Sequence, residues 1–229
     1  MAKIFLDKTV FDFLKKLKKN NDRDWFNEHK PIYLEQNEKM IHFADALLIE
    51  MNKHDVIETP TGKKSLHRIY RDIRFSSDKT PYNSHFGGSF KRATAARRGG
   101  YYFHIEPGNS FVGGGFWGPK PEDLQRIRED IADNGDELKK ILEAKKFKAT
   151  FGKIWGESLK TAPKGFDKNH PHIEYIRLKQ FLISKSFTDE EVLAPDFHLK
   201  MNAAFKEMRP FFDYMSTALT TNANGESTL

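Results

Sequence analysis

The spacing of apolar residues changes character twice along this chain, and that switch limits its fold more than any other feature. Over residues 9–19, Val10, Leu14 and Leu17 recur at helical spacing, with Thr9 and Asp12 placed as a capping box. Asp22 or Asp24 can cap a short turn holding Trp25 and Phe26. Past Pro31, which suits a first helical turn, Tyr33, Met40, Ile41, Ala44, Leu47, Leu48 and Met51 form one stripe, so a long helix is expected to end near Asn52. The period is then lost. Residues 66–71, 85–92, 101–106 and 110–117 read as strands, the last two joined by Pro107-Gly108-Asn109, a loop short enough to impose antiparallel pairing. Residues 93–100 read as a flexible hairpin tip. From Pro119 the helical period returns, with Leu124, Ile127 and Ile131 on one side, a stop at Gly135, and Asp136 capping a second helix. Residues 147–171 read as mostly irregular and 180–187 as a fifth strand. Thr188 with Glu191 reads as a capping box. A last amphipathic stripe from Phe197 to Met215 is expected to kink at Pro210.

Helices first, an antiparallel meander in the middle and helices last define an α+β fold, an antiparallel sheet meander flanked by N-terminal and C-terminal helices. Residues 1–219 are expected to form a single domain and 220–229 a flexible tail. The absence of cysteine excludes a disulfide framework, thiolate metal ligands and cysteine catalysis. An acid at Asp7 interrupts the N-terminus before any run of signal-peptide length, and no stretch nears 18 apolar residues, so a soluble, cytoplasmic protein without a membrane partner is expected.

Charge narrows the search for a site. Residues 62–104 carry ten Lys and Arg against Asp72 and Asp78 only, so this segment alone holds more positive charge than the +6 of the whole chain. A local positive field attracts anions. Within it Arg68, Arg71 and Arg74 sit on and just past an expected strand, Lys79 and Tyr82 on the turn that follows, and guanidinium forks match phosphate or carboxylate. Two local acids are too few to neutralise all three arginines, although any one could be spent on an ion pair. Tyr82 could equally pack inward. These five residues are the expected ligand-binding set.

On the strand at 101–106, alternation places Tyr102, His104 and Glu106 on one face and Tyr101, Phe103 and Ile105 on the other. His104 and Glu106, with His85 nearby, are candidate acid–base residues, and equally a structural hydrogen-bonded pair. No third ligand of sufficient promise accompanies them, so no metal site and no cofactor are expected. Gly113-Gly114-Gly115 marks a bulge or a close approach, which Trp117 and the aromatic hairpin face could cover; it lacks the context of a dinucleotide fingerprint. Lys164, His170 and Lys179 could add charge to the site. Lys15, Lys16, Lys18 and Lys19 read as a solvated helix face.

Several segments have recognisable wording. Arg68-Ile69-Tyr70-Arg71-Asp72-Ile73-Arg74-Phe75 and Asp78-Lys79-Thr80-Pro81-Tyr82, then Tyr101 to Gly108, Phe111 to Trp117, Pro163-Lys164-Gly165-Phe166-Asp167 and His170-Pro171, together resemble the DUF2461 family over most of residues 5–215. The resemblance implies a family of unknown function and brings no catalytic residue with it. Three readings stay open: a module binding an anionic small molecule or nucleic acid through the arginine cluster, a small metal-independent enzyme in which that cluster holds an anionic substrate while His85, His104 or Glu106 moves a proton, and a structural protein with a basic surface. The sequence assigns no oligomeric state.

Overall fold

The computed structural model describes residues 5–222 and 225–229. Residues 1–4 of the N-terminal reading, and 223 and 224 of the expected tail, lie outside the described residues. In chain order the elements are α1 (Lys8–Lys19), α2 (Arg23–Glu28), α3 (Lys30–Met51), α4 (Gly62–Ser65), β1 (Phe86–Lys91), β2 (Gly100–Ile105), β3 (Ser110–Phe116), α5 (Pro121–Glu143), α6 (Lys145–Phe151), α7 (Ile173–Ile176), β4 (Phe181–Phe187), α8 (Asp189–Val192), α9 (Phe197–Glu207) and α10 (Arg209–Thr220). The strands form one antiparallel sheet in the order β1-β2-β3-β4, and the fold class is α+β. The chain groups into two compact units, one of Met1–Phe90, Tyr102–Val112 and Ser186–Ala203, the other of Lys91–Tyr101, Gly113–Lys185 and Ala204–Leu229.

In the first unit the apolar stripes of α1 and α3 bury Leu14, Leu17, Met40, Phe43 and Leu47 completely or nearly so. Rings knit that core: Phe26 stacks on Tyr82 at 4.0 Å, Tyr33 on Phe86 at 6.3 Å and Phe43 on Phe197 at 5.7 Å. Gly88 lets the Phe103 ring approach β1 closely, since a Cβ there would come within 2.4 Å of it. The second unit packs Tyr101 against Phe205 and Phe212 and Phe116 against Phe211. Alternation along β2 buries Tyr101, Phe103 and Ile105 on one face; on the other, Tyr102 is half-buried and His104 buried, and Glu106, one residue past the strand, is half-buried.

Several expectations are corrected. Residues 66–71 do not form a strand. Thr61 caps the short helix α4 by accepting from the Lys64 N–H at 3.2 Å, and beyond it only isolated bridges form, Leu66 with Gly88 and Tyr70 with Tyr82. The Arg71 N–H donates to the Pro81 carbonyl at 2.9 Å, but Pro81 has no N–H to return, so the ladder cannot propagate. The cap of α1 is Asp7, which accepts from the Thr9 N–H at 3.0 Å, and not the pair Thr9 and Asp12. Gly135 does not end its helix; α5 runs on through a kink at Asn134, where φ is −123°. Gly135 serves instead to admit the ring of His172, which a Cβ would meet at 2.4 Å. Helix α6 occupies part of the segment expected to be irregular. Pro210 falls in the first turn of α10, so the final stripe is divided into two helices at Met208. The capping box at Thr188 and Glu191 forms as expected. In the tail, the Thr228 N–H donates to the Thr220 carbonyl at 2.8 Å and Thr221 bridges Ser227. Among the described residues no helix is long and apolar enough to cross a membrane.

Candidate functional site

Two side-chain constellations in the first unit carry chemistry. The first is built by the basic loop between α4 and β1. Pinned by the two bridges, it folds over α2 and leaves a pocket of about 310 Å³ lined by Arg23, Asn27, Tyr70, Arg71, Ile73, Pro81 and Tyr82. Asn21 fixes the floor by donating to the Tyr82 carbonyl at 2.9 Å and accepting its N–H at 3.1 Å. Tyr82 is almost wholly buried, and burial raises its hydroxyl above the ordinary tyrosine range.

Of the three arginines in the expected set, Arg71 lines this pocket, and Arg68 and Arg74 do not. Arg71 Nη1 donates to Asp78 Oδ2 at 2.5 Å, to the Thr80 carbonyl at 3.1 Å and to the Thr80 hydroxyl. All three bonds use one nitrogen, so Nε and Nη2 keep donor capacity for a ligand. The Thr80 backbone N–H, the Thr80 hydroxyl and Arg71 together hold the Asp78 carboxyl down at about 2. Arg74 is consumed differently: its Nε and Nη2 grip Asp72 at 3.0 and 2.7 Å, and this pairing lowers the Asp72 carboxyl. Lys79 donates to the Ile73 carbonyl at 3.0 Å, bracing the loop from within, and Arg68 is exposed. The two local acids thus take one arginine each. Arg23 supplies the second guanidinium of the pocket; nothing local marked it, because α2 reads from sequence only as a short turn.

The second constellation lies on β2. Glu106 accepts from Lys18 Nζ at 3.0 Å, from Asn109 Nδ2 at 3.0 Å and from Ser84 Oγ at 3.5 Å, and its Oε2 lies 3.2 Å from His104 Nε2. Burial pushes its carboxyl up, but the bonds from Asn109, Lys18 and His104 outweigh it and hold the group at about 2. His104 Nδ1 lies 3.0 Å from the Tyr102 hydroxyl. The His104 ring stacks on His85 at 4.0 Å and on Phe111 at 4.8 Å. Burial lowers the imidazoles of His67, His85 and His104; the neighbouring His104 adds to the effect at His85, which falls to about 4. Burial raises Tyr102. His85, His104 and Glu106 therefore come together as a cluster. Lys18 is not simply part of a solvated face, since it pairs with Glu106; a helix-face reading could not reveal a partner 88 residues away.

Two further arginines of the basic segment, and two of the later candidates, are spent elsewhere. In the second unit Arg92 is buried, donating to Asp213 at 2.7 Å and to the Arg98 carbonyl at 2.9 Å, and Arg98 pairs with Asp123. Lys179 pairs with Glu157 at 2.6 Å, and His170 Nδ1 accepts from the His172 N–H at 3.2 Å. The glycine run is covered by Phe212 and Met208, which a Cβ at Gly114 would meet at 2.6 and 2.7 Å, and by the β4 backbone at Gly115. Trp117 does not cover it, being 73% exposed. No grouping of three or more His, Asp or Glu suited to a metal occurs among the described residues.

A family model described as "Conserved hypothetical protein (DUF2461)" matches residues 9–214. No curated protein and no solved structure matches the chain.

Proposed function

The chain belongs to the DUF2461 family, a membership that carries no activity with it, and from the basic loop we propose that the protein binds a small phosphate-bearing or otherwise anionic ligand. The observation that carries this reading is the composition of the pocket on α2. Two guanidinium groups, Arg23 and Arg71, line it with Asn27 and Tyr70, and no carboxylate does. Its volume of about 310 Å³ suits a compact ligand. Tyr70, which is 52% exposed, offers a ring to a sugar or base, while Arg71 presents Nε and Nη2 for a forked contact. Phosphate recognition by such forks is charge-assisted and strong. The Arg92 and Arg98 side chains have internal partners, which favours a small ligand over a long nucleic acid held along 91–98.

Isothermal titration with inorganic phosphate and with adenosine monophosphate tests the proposal. Arg71→Ala and Arg23→Ala should each weaken binding about ten- to hundred-fold, the value of one charge-assisted hydrogen bond. Binding should also weaken with added salt. Absence of saturable binding of either probe to the parent at low salt, or affinity equal to the parent's in both variants, would refute the reading.

A further inference from the structure

The β2 cluster is arranged as a relay, independent of the anion pocket. We propose that Tyr102 is the nucleophile of a Tyr102–His104–Glu106 triad that takes a small activated ester, the phenol being activated only by handing its proton to the His104 ring beside it. The hydrogen-bond logic allows one tautomer. Glu106 is ionised and already accepts from Lys18 and Asn109, so the group 3.2 Å from its Oε2 must donate, and His104 carries its proton on Nε2. His104 Nδ1 is then a lone pair. At 3.0 Å from it, the Tyr102 hydroxyl must be the donor. The phenol oxygen then keeps its lone pairs for an acyl carbon, and Tyr102 is half-buried, not sealed.

This is the logic of an activated nucleophile: hydroxyl and base within hydrogen-bond reach, and the base oriented by a third group. Tyr102 and His104 share one face of β2, and Glu106 follows one residue past its end, where the bonds from Lys18 and Asn109 hold it in the i+4 place. Stacking on His85 and Phe111 fixes the plane of the His104 ring. Gly87 gives the hydroxyl room, since a Cβ there would stand 3.1 Å from the Tyr102 oxygen. In the reaction the Tyr102 oxygen bonds to the acyl carbon while its proton passes to His104 Nδ1. The carbon–oxygen bond to the leaving alkoxide then breaks with its electron pair, and the imidazolium returns the proton to that alkoxide. Water hydrolyses the acyl-tyrosine by the same relay. The titratable groups around His104 are Tyr102 on its own strand, Glu106 just past it and His85 just ahead of β1, with Lys18 from α1 on Glu106 and His67 beside Tyr102.

Phenylmethylsulfonyl fluoride is the probe: the phenol oxygen bonds to sulfur, fluoride leaves with the electron pair, and the proton goes through His104 to water. Peptide mass mapping on the intact chain reads the rate at each tyrosine. Tyr102 should be labelled at least ten times faster than the other tyrosines at pH 8, with the rate falling in acid as His104 takes a proton. In His104→Gln the rate at Tyr102 should drop at least ten-fold, and what remains should rise only toward the phenol's own ionisation. Glu106→Gln, a gentler change, should slow labelling while the thermal melt shows a folded protein. Labelling of Tyr102 no faster than at other tyrosines would overturn the proposal. So would a folded Glu106→Gln or His104→Gln variant that keeps the parent's rate and pH profile.

Discussion

Arg92→Ala should be the most damaging change in the basic segment, although sequence alone ranks Arg92 with its neighbours. Its side chain is 1% exposed, and it bonds to Asp213 at 2.7 Å, to the Arg98 carbonyl at 2.9 Å and to Ser216 at 3.4 Å. The guanidinium carbon also stands 5.4 Å from the centre of the Phe212 ring. Truncating one member of a buried ion pair costs about 3–5 kcal/mol. Asp213, however, is half exposed and keeps Arg209 at 3.2 Å, so the orphaned carboxylate recovers water and a partner. That places the expected loss near the lower bound, about 3 kcal/mol, with the Arg98 carbonyl and the lost stem packing as its main sources. For a chain of this size each kcal/mol lowers Tm by about 2–4 °C, giving a drop of roughly 6–12 °C. Arg92→Lys should fall between, keeping the charge but not the fork. Arg74→Ala is the control: its pair with Asp72 is exposed on both sides, so no measurable change in midpoint is expected. Urea unfolding followed by circular dichroism, with parallel thermal melts, reads all three. An Arg92→Ala protein within about 1 kcal/mol of the parent, or an Arg74→Ala protein equally destabilised, would refute the assignment of these arginines to structure and surface.

Two acid-side windows should separate by variant. His85 is held neutral down to about 4 in the folded protein, so the unfolded chain binds the extra proton and stability should fall as pH drops from 6.5 toward 4; His85→Phe should make that slope shallower, leaving the part that His67 and His104 contribute. Glu106, held at about 2, stabilises above its ordinary 4.5 and should lose that contribution as pH falls from 4.5 toward 2, so Glu106→Gln should flatten this lower limb in urea titrations at stepped pH. Gly115→Ala should cost roughly 2–6 kcal/mol by urea unfolding, because φ is +134° and the new Cβ would lie 2.0 Å from the Phe181 carbonyl; a neutral outcome would contradict that close approach. Asp7→Ala should cost about 1 kcal/mol in the same assay through loss of the α1 cap, whereas Asp12→Ala should leave that cap intact.

Local spacing alone was enough for the fold class and for the division of labour on β2. An alternating strand has only two faces, so Tyr101, Phe103 and Ile105 had to part from Tyr102, His104 and Glu106 once the strand was recognised. The helical stripes of α1 and α3 and the capping box at Thr188 were equally legible, because each depends on residues within one or two turns. Some of what failed was local, such as the α1 cap, which is Asp7 and not Thr9 with Asp12; the rest depended on partners outside the local window. A strand at 66–71 was ruled out by the residue that came to lie opposite Arg71, a proline with no N–H to offer. Counting acids within 62–104 held for Arg68, Arg71 and Arg74, but it could not show that Arg92 and Arg98 draw their carboxylates from Asp213 and Asp123. Lys18 read as part of a solvated helix face and Arg23 drew no reading at all, until folding set one against Glu106 and the other in the pocket beside Arg71. Charge acts through space, so a residue's counter-ion is decided only when the chain has closed. Periodicity is a property of the backbone's own geometry, and is therefore already written in the order of the residues.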